Sequence, residues 1–231
     1  GTTAVKVDLL DGIQNILPYG VEDALQNASS NLVDAYKKCE LETDTGLGIF
    51  SLSAIIVDRA EPSEALKANT VWSYGLKNAK VLLCSKQLDH FRAGFEIDQE
   101  VDIKAEKGAF LINSTVDLPA EGTANWAIVA DVHQVPSDVA KTKAALADPK
   151  GLYELVLADV EAGTEGLIHL VAASDGIQLT EDGILNNRHF ANTMFNIMRG
   201  GIFDYNYTIE KVDFLEDRAC AASALVTPFF C

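Results

Sequence analysis

Arg188, His189, Asn192, Asn196 and Arg199 are the residues of this chain whose types and spacing are best suited to chemistry. Residues 186–201 read as a helix, and steps of four and three along a helix return to the same face. Arg188, Asn192, Asn196 and Arg199 therefore share one stripe, with His189 at its edge, while Phe190, Met194, Ile197 and Met198 fall on the opposite side. An ordinary solvated face carries Lys and Glu; amides, guanidiniums and an imidazole instead make directed hydrogen bonds. Such a face suits the wall of a site for a polyhydroxylated ligand. It equally suits a buried polar network between helices, with Arg199 capping the last carbonyls. Asp204, Tyr205, Asn206 and Tyr207 follow directly and form the best candidate ligand loop, against the competing and commoner reading of an ordinary connecting loop.

A complete catalytic constellation is not found. His90, His133, His169 and His189 are far apart, and none accompanies a nucleophile-elbow motif. The acidic alternation Glu40, Glu42, Asp44 fails as a calcium loop, because glycine falls at position seven and Ser51 at position twelve. Gly46-Leu47-Gly48 lacks the remainder of any phosphate-binding glycine loop, so no nucleotide cofactor is expected. Cys39, Cys84, Cys220 and Cys231 include no C-x-x-C pair, and no metal site is expected. Cys39 and Cys84 read as small buried hydrophobes, and a Cys220–Cys231 bridge stays open. Asn27, Asn113 and Asn206 begin glycosylation sequons, which chance also produces.

Charge narrows the partners. Thirty-four acidic residues against 18 basic ones leave a net charge of −16. That argues against nucleic acid, whose binding rests on cations neutralising phosphates, and against an anionic membrane surface. Neutral ligands such as carbohydrates, and cations, remain compatible. No apolar run approaches the ~20 residues that span a bilayer, and residues 1–6 show no signal peptide, so a soluble chain is expected with its compartment undetermined. The missing initiator Met suggests a trimmed N-terminus.

The elements that must position these residues fall into two parts, a β-rich, sandwich-like domain over 1–134 and a helical linker and start of a helical domain over 135–231. Strands are expected over 3–10, 48–57, 69–74, 96–105, 109–118 and 125–132. Turns at Lys107-Gly108 and Pro119–Gly122 would join the last three as a meander. Helices are expected over 21–39 and 78–93, the first weakened by Asn27-Ala28-Ser29-Ser30-Asn31. Trp72, Tyr74 and Trp126 sit on strand patterns that favour core positions over sugar stacking. Beyond Val135-Pro136, Ser137 would cap a helix over 139–147. Leu152, Leu155, Val156, Val160, Leu167, Leu170 and Val171 then follow helical spacing, with Gly163 and Gly166 marking a close packing neighbour. Asp175-Gly176 ends that helix, Gly200-Gly201 ends the polar-striped one, and a last helix is expected from Ile209. The fold class is α+β, an antiparallel β-sandwich-like region followed by a helical segment.

Several blocks carry a resemblance. Gln14-Asn15-Ile16-Leu17-Pro18-Tyr19-Gly20-Val21, Asn31-Leu32-Val33-Asp34-Ala35-Tyr36-Lys37, Thr45-Gly46-Leu47-Gly48-Ile49-Phe50-Ser51-Leu52-Ser53, Asp58-Arg59-Ala60-Glu61-Pro62-Ser63-Glu64-Ala65-Leu66 and the Arg188–Gly201 helix together resemble proteins related to cellobiose phosphorylase and other α,α-barrel glycosidases. In that family a β-sandwich leads through linker helices into an α,α-barrel that holds the active site. The resemblance implies that residues 136–174 are linker helices and that Arg188–Gly201 is the first barrel helix. A glycosidase or phosphorylase needs a general acid and a nucleophile, phosphate or activated water. The chain stops before those groups would occur, so alone it is expected to be inactive.

The expected function is therefore that of a non-catalytic sandwich and linker-helix portion of a carbohydrate-active protein, supporting or shaping a sugar site. The apolar end Val226-Thr227-Pro228-Phe229-Phe230-Cys231 supports an alternative, a non-enzymatic binding or assembly protein that docks through its C-terminus onto a further domain or chain. A hydrolase using Asp204 and Glu210 is a third reading.

Overall fold

The computed structural model describes residues 1–56 and 65–202. A long first strand, β1 (Val5–Ile16), leads through two short helices, α1 (Asp23–Ala28) and α2 (Ser30–Ala35), into β2 (Lys37–Glu42) and β3 (Leu47–Leu52). Then come β4 (Ala68–Tyr74), β5 (Lys80–Leu82), α3 (Leu88–Arg92), β6 (Asp102–Lys104), β7 (Gly108–Leu118) and β8 (Ala127–Gln134). Three helices follow, α4 (Pro136–Ala147), α5 (Leu152–Ala173) and α6 (Gly183–Met198). The strands form two antiparallel sheets, of order β1-β7-β5 and β6-β2-β3-β4-β8. The fold is α+β with antiparallel sheets, as the sequence led us to expect.

Side chains from both sheets meet in one core: Cys39, Leu41, Phe50 and Val71 from the larger sheet, Val81, Leu83, Phe110 and Ile112 from the smaller one and its continuation. Gly48 is needed there, since a Cβ at that position would sit 2.8 Å from the Phe110 ring. A second apolar cluster covers the outer face of the smaller sheet, where Leu82, Ala109 and Leu111 pack with Ile97 and with Leu88 and Phe91 of α3. β7 lies between these layers with its first five residues buried, which suits a central strand packed on both faces.

Several expected elements are corrected. The helix expected over 21–39 is two short helices that break at Ser29, whose backbone leaves the helical region (φ −140, ψ 45). Ser and Asn side chains compete with helical hydrogen bonding there. From Lys37 the strict alternation of burial is that of a strand. The helix expected over 78–93 gives way to β5, because Val81 and Leu82 pair with Ile112 and Leu111 of β7; only 88–92 is helical. Of the strand expected over 96–105 only Asp102–Lys104 pairs. The remainder runs beside β5 and satisfies it with side chains: Glu100 accepts from the backbone N–H of Leu83 (2.6 Å) and Cys84 (3.0 Å), Gln99 from that of Val81 (3.0 Å). β6, β7 and β8 form no meander, since β7 belongs to one sheet and β6 and β8 are opposite edges of the other.

Charged groups tie the short helices to the core. The fully buried Lys37 Nζ donates to Asp34 (2.9 Å) and to Gln26 (2.6 Å). Burial pushes the Asp34 carboxyl up, but hydrogen bonds from Lys37 and Gln26 and the Lys37 charge outweigh it and hold the group below its ordinary range. Cys39 and Cys84 are buried free thiols. Burial, reinforced by neighbouring Cys84, pushes Cys39 up to about 12, and burial likewise raises Cys84.

The strands end at Gln134 and α4 begins at Pro136, with proline at its start in place of the expected Ser137 cap. The chain divides into two compact units, Gly1–Tyr153 and Glu154–Cys231. Within the first, Lys143 of α4 pairs with Glu42 of β2 (2.5 Å), and Tyr153 stacks on Tyr74 at 5.0 Å between ring centroids. Within the second, the end of α5 meets α6 around Val171, Gly176 and Thr193, all buried. Among the described residues nothing stands within 4 Å of a Cβ placed at Gly163 or Gly166, so the close packing neighbour expected there is not found among them. The helix expected from Ile209 lies outside the described residues. No helix among the described residues is long and apolar enough to cross a membrane.

Candidate functional site

Asp182 starts α6 by accepting hydrogen bonds from the backbone N–H of Ile184 and Leu185, and Gly200, at φ +72, ends it. Between these caps the expected stripe forms. Arg188, Asn192 and Arg199 are exposed, while His189 and Asn196 are half-buried. Asn196 Nδ2 donates to the Asn192 carbonyl (2.8 Å) and to Asn192 Oδ1 (3.3 Å). The Arg199 guanidinium lies over the Phe195 ring, 5.3 Å from its centre. His189 Nε2 meets the carbonyl of Asp175 at 2.9 Å, joining α6 to the turn that follows α5. His189 and Asn196 thus have local hydrogen-bond partners and Arg199 lies on Phe195, while among the described residues Arg188 and Asn192 Nδ2 have no hydrogen-bond partner. Asp204, Tyr205, Asn206, Tyr207 and Glu210 lie outside the described residues. Trp72 is buried, and Trp126, 36% exposed, donates from Nε1 to Asp11 at 2.7 Å.

A second polar surface is built by the smaller sheet, and no single motif announced it. Alternate residues of β7 share a face, and on the outer one Ala109 and Leu111 give way to Asn113 and Thr115. The apolar half is covered by α3 and Ile97. The polar half opens into a groove of about 380 Å³. Cross-strand pairing brings Asp8 opposite Thr115 and Lys80 opposite Asn113. Asp8 Oδ1 accepts from Asn113 Nδ2 (3.2 Å) and Thr115 Oγ1 (3.3 Å), and Asn113 Nδ2 also donates to the Leu9 carbonyl (2.9 Å). These bonds fix the carboxylate and the amide while leaving Asp8 Oδ2 and Asn113 Oδ1 without a partner among the described residues.

The opposite wall is aromatic. Phe95 is 67% exposed and stands edge-on to His90, beside the positive-φ turn at Gly94. Lys80 Nζ donates to Glu96 (2.8 Å) and to the Ile97 carbonyl (2.7 Å), clamping the segment that carries the ring. The hydrogen bond from Lys80, then its charge, holds Glu96 below its ordinary range. The groove thus combines a fixed carboxylate, a fixed amide, a hydroxyl and an open aromatic face. Its sequence signal was present, in the change from apolar to polar along one face of 109–115, but the residues opposite it come from segments remote in sequence. Among the described residues no group of three or more His, Cys, Asp or Glu side chains is arranged to hold a metal ion.

A scan against protein-family models finds no match to this chain, and a search of curated proteins finds none either.

Proposed function

We propose that this chain is a non-catalytic portion of a carbohydrate-active protein of glycosidase or phosphorylase type, and that its sandwich carries a sugar-binding groove. The observation that carries this reading is the groove of Asp8, Asn113 and Thr115 facing the open ring of Phe95. Vicinal hydroxyls of a pyranose present a donor and an acceptor side by side, which a carboxylate and an amide in fixed orientation can match. The C–H face of the ring is apolar and packs on an exposed aromatic. The sandwich architecture and the following helices agree with the family resemblance in the sequence, and the polar outer face of α6 offers Arg188 and Asn192 as a further hydrogen-bonding surface.

Calorimetric titration of the whole chain with β-linked and α-linked disaccharides, cellobiose first, tests this. Saturable binding that Asp8→Ala and Phe95→Ala each weaken by about tenfold supports the groove, a loss in keeping with one charged hydrogen bond or one buried ring face. Binding that survives both substitutions places the sugar elsewhere, and Arg188→Ala with Asn192→Ala then tests α6. An absence of binding to every sugar removes the reading.

A further inference from the structure

A different surface of the sandwich unit holds an apolar cleft of about 290 Å³. Leu25, Leu52, Ile55, Ile56 and Leu66 line it, and Tyr19 and Lys67 stand at its edge. Ile55 and Leu66 are well exposed, 46% and 63%, so apolar surface is concentrated around one opening.

The polar edge is held by several linked contacts. Lys67 Nζ contacts His133 Nε2, lies 3.4 Å from the Tyr19 hydroxyl, and stands 4.8 Å from the centre of the Tyr19 ring. The Tyr19 and His133 rings are stacked, their centroids 4.6 Å apart. His133 reaches its place from an irregular point of β8, where the pairing shifts between Ala68–Gln134 and Thr70–Asp131. Its backbone is left-handed (φ +60), held there by a hydrogen bond from its N–H to Asn69 Oδ1 (2.9 Å). Asn69 is anchored in turn by donating to the Leu17 carbonyl (2.7 Å). Bulges of this kind re-aim side chains, and strained backbone is concentrated at functional sites.

Two features identify the occupant. In a chain of net charge −16, Lys67 has no carboxylate partner among the described residues. Beside that ammonium, the cleft presents aliphatic side chains. We propose that this cleft binds a linear aliphatic monocarboxylate, its chain against Leu25, Leu52, Ile55, Ile56 and Leu66, and its carboxylate on Lys67 with the Tyr19 hydroxyl. The charge complementarity excludes fatty amines, and the volume favours short to medium chains.

Titration of the whole chain with octanoate, followed by amide chemical shifts and calorimetry, tests this. One saturable site is expected, perturbing Leu52, Ile55 and Leu66, with each methylene from butanoate to octanoate tightening binding by about fourfold. 1-Octanol, which lacks the charge, binds about tenfold or more weakly. Lys67→Met brings octanoate down to the level of 1-octanol, and Lys67→Arg restores most of the difference. Absence of saturation, equal binding of octanoate and 1-octanol to the wild type, or an unchanged affinity in a folded Lys67→Met variant each overturns the proposal. The comparison of the two ligands on the wild type stands even where the variant fails to fold.

Discussion

The sandwich and the helical unit handle apolar residues in opposite ways. Between the sheets Phe50, Phe110, Leu83 and Ile112 are fully buried, and the second cluster under α3 buries Leu82 and Ala109 as completely. In α5 and α6 only Val171 and Thr193 are buried, while Leu155, Val160, Ile184 and Met198 are each more than 60% exposed. Yet α5 is the more apolar of these two helices. A residue on a paired strand has its face fixed by period two and by the register, so burial follows directly from sequence. A helix settles its face only when something packs against it. Among the described residues that packing is confined to one small knot around Gly176.

Phe110→Ala strikes the sandwich hardest. Removing a fully buried aromatic from between the sheets is expected to cost about 4 kcal/mol by denaturant unfolding. Hydrogen exchange then separates the two regions. Amides of β2, β3 and β7 lose protection, and those near Val171 and Thr193 keep theirs. Equal loss in both would erase the distinction drawn above.

Next in size is Asp34→Ala, which leaves the buried Lys37 ammonium with Gln26 alone and is expected to cost about 3 kcal/mol. Lys37→Met leaves a carboxylate that water still reaches, and costs about 1 kcal/mol. A measured order opposite to this would show that Lys37 is not the more demanding partner. The pH dependence has a fixed sign. Because the folded-state pKa of Asp34 is lowered, its contribution is fully present above the ordinary value of 3.8 and is lost as pH falls through the folded value. The stability gap between wild type and Asp34→Asn should therefore close in acid.

Gly176→Ala is the matching test in the helices. A Cβ there would stand 2.8 Å from Thr193 Cγ2 and collide with Val171, so a loss of about 2 kcal/mol is expected, seen as exchange at Val171 and Thr193 with β7 unaffected. Asn196→Ala is the smallest change. Among the described residues its amide bonds to Asn192 one turn back and to nothing else, and an effect within about 0.5 kcal/mol by thermal melting is expected.

The strands were legible where alternation or an unbroken apolar run met a flanking turn, as in β3, β4, β7 and β8. They were illegible where the pairing partner decided the outcome. Local propensity does not explain β5: residues 78–93 suit a helix locally, and only the backbone of β7 makes 80–82 a strand. Lys37-Lys38-Cys39 continued a helical pattern until the partner for the Lys37 charge, Asp34, fixed its inward direction. The α6 stripe was legible because one helix carries all of it. The groove of Asp8, Asn113 and Phe95 and the cleft edge of Tyr19, Lys67 and His133 were not, since each gathers residues from three separate segments.

The two buried thiols give the sandwich an internal clock. Cys39 is pushed to about 12 by burial, and both it and Cys84 are shielded from solvent in the folded state. A thiol-specific reagent can therefore modify Cys39 only during excursions in which the sheets part, and Cys84 only when the segment carrying Glu100 lifts from it. With Cys220 and Cys231 replaced by Ser, the pace of labelling at saturating reagent would count those excursions one by one. Comparing Cys39 with Cys84 would tell whether the two layers breathe together or in turn.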